Sequence, residues 1–218
     1  MRENYHDELD EIDERIIEMS TLAAAAMDAA TRALLTCDLE LAEWVIGGDD
    51  RIDALRAELE SASFQLIARQ QPVATDLRML IGAVHLAGDL ERMGDLAHHV
   101  AKLARMRFPD CAVPPEAHDI IERMGAVARS LVQKVVDVVD GIADRDIALA
   151  QAIEAEDDAM DALRRALFAL VLSPDWAQGT EAAVDLTLLG RYYERYADHA
   201  VAVARQARFI VNGQHVHS

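Results

Sequence analysis

The sequence predicts an all-α protein made of two tandem antiparallel three-helix bundles related by internal pseudo-two-fold symmetry. Aromatic residues make up 5% of the chain, and its 218 residues include only 10 glycines and 5 prolines, a composition that favours long, closely packed helices. Apolar residues recur at spacings of three and four, which is the period of an amphipathic helix. The second half of the chain also repeats the first, so each half should form the same bundle.

Six helices are predicted in order from this period and from the residues that interrupt it. Asp38 can cap the second helix, because a carboxylate accepts the unpaired N–H groups of a first helical turn. Proline cannot continue a helix, so Gln70-Gln71-Pro72 should end the second helix, and the third begins at Pro72 or Thr75. The predicted helices end near Thr36, Gln70 and Arg107 in the first half and cover about 116–143, 146–171 and 178–212 in the second.

A proline-containing linker separates the two halves. It contains Phe108-Pro109 and Pro114-Pro115, which disfavour helix on both sides. The chain is therefore divided into residues 1–110 and 111–218, with three long helices in each. Because the connections between helices are short, neighbouring helices should run antiparallel within each half.

The internal repeat is most informative where it preserves acids. Residues 80–108 align without gaps with residues 183–211, so that Glu91 corresponds to Glu194, and a second segment aligns Asp49 with Asp157. A packed core needs similar apolar residues in both halves. Identical acids on a helix surface call for another explanation.

Four pairs of acids, each four residues apart, recur in this alignment. They are Asp49 with Asp53, Glu91 with Asp95, Asp157 with Asp161, and Glu194 with Asp198. Residues four apart lie on one helix face, and each half carries one pair on its second helix and one on its third. Antiparallel packing could bring four carboxylates together, and such oxygen ligands suit hard ions such as Mg²⁺, Mn²⁺, Ca²⁺ or Fe³⁺. The alternative is a solvated acidic face, which costs only about 0.2–0.5 kcal/mol per pair.

Charge and apolar patterning exclude several classes of protein. A formal net charge of −18 disfavours binding to nucleic acid and to anionic lipid, which both depend on Lys and Arg. No apolar run approaches the roughly 20 residues that span a bilayer, so we expect a cytoplasmic protein that reaches the membrane only through partners. Cys37 and Cys111 have no CxxC partner and are expected to be separate, small apolar residues in a reducing compartment.

Three arginines, Arg78, Arg92 and Arg195, are candidate partner-binding residues. Their guanidinium groups suit carboxylate or phosphate, so direct phosphate binding is one interpretation. Internal ion pairing is the alternative that the sequence favours, because Arg92 can pair with Asp89 at i−3 and no glycine-rich anion cradle accompanies it.

Two motifs resemble a known family. The run Gln70-Gln71-Pro72-Val73-Ala74-Thr75-Asp76-Leu77-Arg78 and the run Asp89-Leu90-Glu91-Arg92-Met93-Gly94-Asp95 resemble the signature of the PhoU family of phosphate-transport regulators. The alanine-rich composition is similar to that of the actinobacterial, mycobacterial members of the family. The resemblance covers nearly the whole chain, but Ser173-Pro174-Asp175-Trp176 replaces the first run in the second half, and Tyr192 stands in the place of Asp89.

The resemblance implies a function, a set of partners and two metal clusters. The implied function is negative regulation of the phosphate-starvation response. The protein would act between the ATPase component of a high-affinity phosphate ABC transporter and a sensor histidine kinase, and it is expected to form a homodimer. One implied metal site comprises Asp49, Asp53, Glu91 and Asp95, and the other comprises Asp157, Asp161, Glu194 and Asp198.

Two other function classes remain open at this point. A metal-binding helical scaffold would not need a transporter or kinase partner. A di-metal carboxylate enzyme is disfavoured, because such sites usually add Glu-x-x-His ligands and none occurs beside these acid pairs. We therefore expect a protein that is not an enzyme and has no catalytic residues.

Overall fold

The computed structural model describes residues 2–142 and 150–213, and every regular element within them is an α-helix. The helices are α1 (Arg2–Thr36), α2 (Leu39–Gln70), α3 (Thr75–Arg107), α4 (Pro115–Asp140), α5 (Ala150–Val171) and α6 (Gly179–Asn212). The predicted all-α class is confirmed. Among these helices none combines the length and the apolarity needed to cross a membrane.

The helix ends are set by the local signals that the sequence contains. Asp38 caps α2, since its Oδ1 accepts the backbone N–H of Leu41 at 3.0 Å. Gln71 adopts the left-handed conformation, with φ of 48°, and its N–H returns to the carbonyl of Ile67 at the end of α2. α4 ends at Asp140, three residues before the predicted 143, and the predicted start of α5 at 146 lies outside the described residues.

The six helices form two three-helix bundles that share one core. α1, α2 and α3 pack against one another, as do α4, α5 and α6, and the bundles meet where α3 packs on α6 and α1 packs on α4. α3 and α6 run antiparallel: Gly82 near the start of α3 lies against Ile210, whereas Arg107 at its end donates to both oxygens of Asp185, at 2.6 and 3.1 Å. Buried apolar side chains from all six helices form one continuous cluster.

Two buried tyrosines connect α6 to α1 across the boundary between the bundles. The Tyr193 hydroxyl lies 2.7 Å from Thr31 Oγ1, and the Tyr196 hydroxyl donates to the carbonyl of Ala23 at 3.2 Å. Both tyrosine side chains are fully buried. These bonds fix the rotation and height of α6, and therefore the direction in which its surface acids point.

The expectation that the two cysteines stand apart was wrong. Cys37 and Cys111 form a disulfide with their Cα atoms 5.1 Å apart, although 74 residues separate them in the chain. The reason is the course of the bundle. α1 and α3 run in the same direction because α2 returns between them, so the residues that follow both helices lie at the same end.

Candidate metal sites

The first group of predicted ligands lies where α2 packs against α3. We call Asp49, Asp53, Glu91 and Asp95 the α2–α3 cluster. Gly94 permits the close approach of the two helices, because a Cβ atom there would lie 2.8 Å from Ile52 Cδ1 and 3.5 Å from Asp49 Oδ1. The acids of α2 therefore face those of α3, and Asp53 experiences the charge of Asp95 across the interface.

Burial and mutual repulsion disfavour the charged form of these carboxyls. Burial raises the pKa of Asp53, and the charges of Asp49 and Asp95 raise it further. The pKa of Glu91 is also raised, by burial and then by Asp95, although Arg92 and Arg56 oppose the shift. The α2–α3 cluster thus gathers more negative charge than its surroundings compensate, which is the condition that a cation would relieve.

Basic side chains occupy much of this cluster in the structure. Arg56 Nη1 lies 3.0 Å from Glu91 Oε1, and Arg92 Nη1 lies 2.5 Å from Asp95 Oδ2. His98 Nδ1 contacts Asp49 Oδ2. In this arrangement, no set of three or more His, Cys, Asp or Glu side chains among the described residues is positioned to hold a metal ion. Binding a metal here would require the arginines to move aside.

Two buried polar atoms of α3 that form no hydrogen bond are candidate donors to a cation. Glu91 Oε2 and His98 Nε2 are both buried and neither has a hydrogen-bond partner, although Arg92 Nε lies 3.5 Å from Glu91 Oε2. If His98 donates its Nδ1–H to Asp49, the lone pair of Nε2 is free, which is how a carboxylate commonly orients a metal-binding imidazole. Glu91 and His98 are therefore the candidate cation donors from α3, and side chains of the cluster would have to rearrange before one ion could bind them together with neighbouring carboxylates.

His98 is the residue that the predicted ligand set lacks. It follows Glu91 by seven residues, two helical turns, and so shares its face. That spacing was the available signal. The internal repeat gives no support for a ligand at this position, because its counterpart in the second half is Val201, and the contact with Asp49 joins residues 49 positions apart.

The second group lies between α5 and α6, and we call Asp157, Asp161, Glu194 and Asp198 the α5–α6 cluster. Burial raises the pKa of Asp157, and the charges of Asp198, Asp161, Asp158 and Glu194 raise it further. The α5 acids therefore face the α6 acids, as in the first cluster.

Arginines also accompany this second cluster. Arg191 pairs with Glu194, and Arg164 Nε lies 3.7 Å from Asp161 Oδ1. Arg164 is the repeat counterpart of Arg56, so both halves place an arginine of the second helix beside the acids. With Val201 in place of His98, however, the two clusters have different donor sets.

The three candidate arginines occupy different settings. Arg78 Nε donates to the carbonyl of Ile210 at 2.8 Å, so it satisfies the C-terminal end of α6. Arg92 is exposed and bonded to Asp95, rather than to Asp89. Arg195 is exposed and forms no ion pair within the described part of the chain. Whether any of them binds a partner is still a prediction.

The duplicated three-helix bundle with two paired acidic clusters defines a class of all-α protein built from two repeated bundles. The PhoU domain matches residues 16–104 and 121–207, which together cover most of the chain and correspond to its two halves. The chain therefore belongs to the PhoU family.

Relatives and solved structures agree with this assignment over nearly the full length. The chain is 47% identical over 213 residues to the "Phosphate-specific transport system accessory protein PhoU homolog 2" of Mycobacterium tuberculosis, covering 98% of this chain and 99% of that protein. It is 37% identical over 211 residues to the PhoU homolog of Aquifex aeolicus, covering 95% and 92%. It superposes on the crystal structure of PhoU from Pseudomonas aeruginosa with a TM-score of 0.85 at 26% identity, covering 96% and 100%. These names describe transport accessory proteins and not enzymes, in agreement with the prediction.

Proposed function

We propose that this chain is an accessory regulator of a phosphate-specific transport system. The observation that carries the proposal is the match to curated accessory proteins of that system along 98% of the chain. Such a protein acts by binding and not by turnover. The long exposed faces of α2, α3, α5 and α6 offer the rigid surfaces that this requires.

The finer proposal is that the protein restrains the phosphate-starvation response while phosphate is plentiful. It would do so as a cytoplasmic homodimer that associates with the ATPase component of the phosphate ABC transporter and with a sensor histidine kinase, and reaches the membrane through them. The net charge of −18 supports basic docking surfaces on those partners, with association that weakens as ionic strength rises.

A deletion strain tests this proposal. In a strain that lacks this chain and every paralogue, starvation genes should be expressed in phosphate-rich medium, and the wild-type chain should restore repression. Charge reversal at Arg92 should fail to restore repression if the face containing it is a contact, whereas the same reversal at the exposed Arg165 on α5 serves as a control. Unchanged starvation-gene expression in the deletion strain would reject the regulator role and favour a helical scaffold.

We also propose that the two clusters bind hard cations such as Mg²⁺, Mn²⁺, Ca²⁺ or iron. The raised pKa values of Asp53, Glu91 and Asp157 support this, because a bound cation would offset the repulsion that raises them. Glu91 Oε2 and His98 Nε2, which are buried without a hydrogen bond, favour the α2–α3 cluster as the tighter site. Residues 1–110 and 111–218 would then each carry one metal-binding repeat.

Calorimetry and metal analysis of two matched double variants separate the clusters. Glu91→Gln with Asp95→Asn removes charge from the first, and Glu194→Gln with Asp198→Asn removes the same charge from the second. We expect the first pair to abolish the tighter binding event and the second to spare it. The absence of metal binding by the wild-type chain at neutral pH would mean that both clusters are solvated acidic faces.

A further inference from the structure

A cleft of about 390 Å³ lies between α3 and α6, and its lining includes Asp95 of the α2–α3 cluster. Arg92 and Arg195 both line it, and they are equivalent positions of the internal repeat. Arg191 and the imidazoles of His99 and His199 complete its polar wall. The cleft therefore collects basic groups at the place where the two repeats meet.

Basic side chains outnumber acidic ones in the lining of the cleft. Three guanidinium groups line it against one carboxylate, Asp95. Glu194 pairs with Arg191 and Asp89 contacts His199 at its edge, so the positive charge available to a ligand is chiefly that of Arg195. The whole chain carries −18. On so acidic a chain, an anion would meet less repulsion at this group of arginines than over the acidic clusters.

The basic groups are held in place by neighbouring acids. Asp95 bonds Arg92 at 2.5 Å, and Glu194 bonds Arg191. His199 Nδ1 lies 3.0 Å from Asp89 Oδ1. Each guanidinium has five N–H donors, so these bonds orient the arginines and leave donors available.

Two further features suit a small ligand. The rings of His99 and Tyr192 stack with centroids 5.2 Å apart and form a flat wall. Arg195 forms no ion pair among the described residues and is exposed at the cleft, so its guanidinium is available without breaking a contact.

We infer that this cleft binds a dianionic oxyanion of the phosphate class. Three guanidinium groups present paired N–H donors that match the oxygens of such an ion, and Arg195 can bind it without giving up an ion pair. The same chemistry is offered by inorganic phosphate and by the phosphates of a nucleotide. The inference does not depend on the metal sites or on the protein partners proposed above, so its failure would leave the regulator role intact.

Calorimetry on the full-length, metal-free chain at constant ionic strength tests the inference. Inorganic phosphate should bind saturably, with an affinity that falls as sodium chloride is added. Arg195→Gln should weaken it at least about tenfold, since a hydrogen bond to a charged group is lost. Arg191→Gln with Arg195→Gln should abolish it. Arg195→Lys, which keeps the charge but not the fork, should give an intermediate loss.

Arg165→Gln is the matched control, because it removes one exposed arginine of α5 outside the cleft. It should leave binding within about twofold, and thermal scans should show that all variants stay folded. AMP and ATP form a second arm. Tighter binding of a nucleotide with the same dependence on Arg195 would assign the phosphoryl group to a nucleotide, and weaker binding would assign it to free phosphate. No saturable binding of either, or an equal loss in the control, would overturn the inference.

Discussion

The hydrogen bond between Tyr193 and Thr31 should respond asymmetrically to removal of its two partners. Thr31 Oγ1 donates its own proton to the carbonyl of Met27 at 2.9 Å, so Tyr193 is the donor in the 2.7 Å contact between the two hydroxyls. Tyr193→Phe removes that donor and leaves Thr31 bonded to Met27. The cost should be the net value of one hydrogen bond, about 0.5–1.5 kcal/mol.

The reciprocal change should cost more. Thr31→Val keeps the shape of the side chain but leaves the fully buried Tyr193 hydroxyl with no partner, and an unsatisfied buried donor costs about 1–3 kcal/mol. In the double variant the unpartnered hydroxyl is absent. Its free energy of unfolding should therefore fall by less than the sum of the two single-variant decreases.

Urea unfolding followed by circular dichroism measures these differences as shifts of the midpoint at constant slope. Tyr196→Phe is a useful comparison, because its hydroxyl bonds a backbone carbonyl of Ala23 instead of a side chain. The reasoning is refuted if Thr31→Val is no more destabilising than Tyr193→Phe, or if the two single losses simply add.

Three further predictions concern the disulfide and the metal sites. Reduction of the Cys37–Cys111 bond, or replacement of both cysteines by serine, should lower the free energy of unfolding by about 4 kcal/mol in the loop-entropy description, since the bond closes a loop with a separation of 74 residues. Thiol labelling and urea unfolding with and without a reductant check this prediction. Equal stability of the oxidised and reduced chains would contradict it. His98→Ala should weaken metal binding to the α2–α3 cluster at least about tenfold without affecting the α5–α6 cluster, as calorimetry can show; an unchanged affinity would remove the imidazole from the site. Lowering the pH should also weaken metal binding, because burial and neighbouring acids raise the carboxyl pKa values in the α2–α3 cluster and protons compete as the pH falls through those raised values. A metal affinity that rises in mild acid would count against the cluster. The folding stability of the metal-free chain should respond in the opposite direction, because these carboxyls reduce stability when charged at neutral pH and protonation relieves that cost.

The phosphate-binding and metal-binding proposals share two residues, Asp95 and the Arg92 that bonds it. Its guanidinium bonds Asp95 of the α2–α3 cluster and also lines the cleft against α6. A metal that displaced Arg92 from Asp95 would free donors toward the cleft. Calorimetry of phosphate with and without bound metal would show such coupling as a change in affinity, which must be equal for both ligands.

Local features of the chain were readable from the sequence because each depends on only a few neighbouring residues. Asp38 reaches a backbone N–H three residues ahead, and Gln71 returns to a carbonyl four residues behind, so the ends of α2 follow from adjacent residues. The acid pairs share a face for the same reason, because the helical period alone places residues four apart together. The repeat extended these readings to the second half.

Contacts between distant residues were decided only by the tertiary structure. Cys37 meets Cys111 because α1 and α3 end at the same side of the bundle, and His98 meets Asp49 because Gly94 lets α3 approach α2 closely. The helical period restricts which face of a helix is apolar, but it does not fix the height or rotation at which two helices pack. The shapes of the buried side chains set the height and rotation. These in turn determine which acids contact an arginine, which contact a histidine and which contact neither.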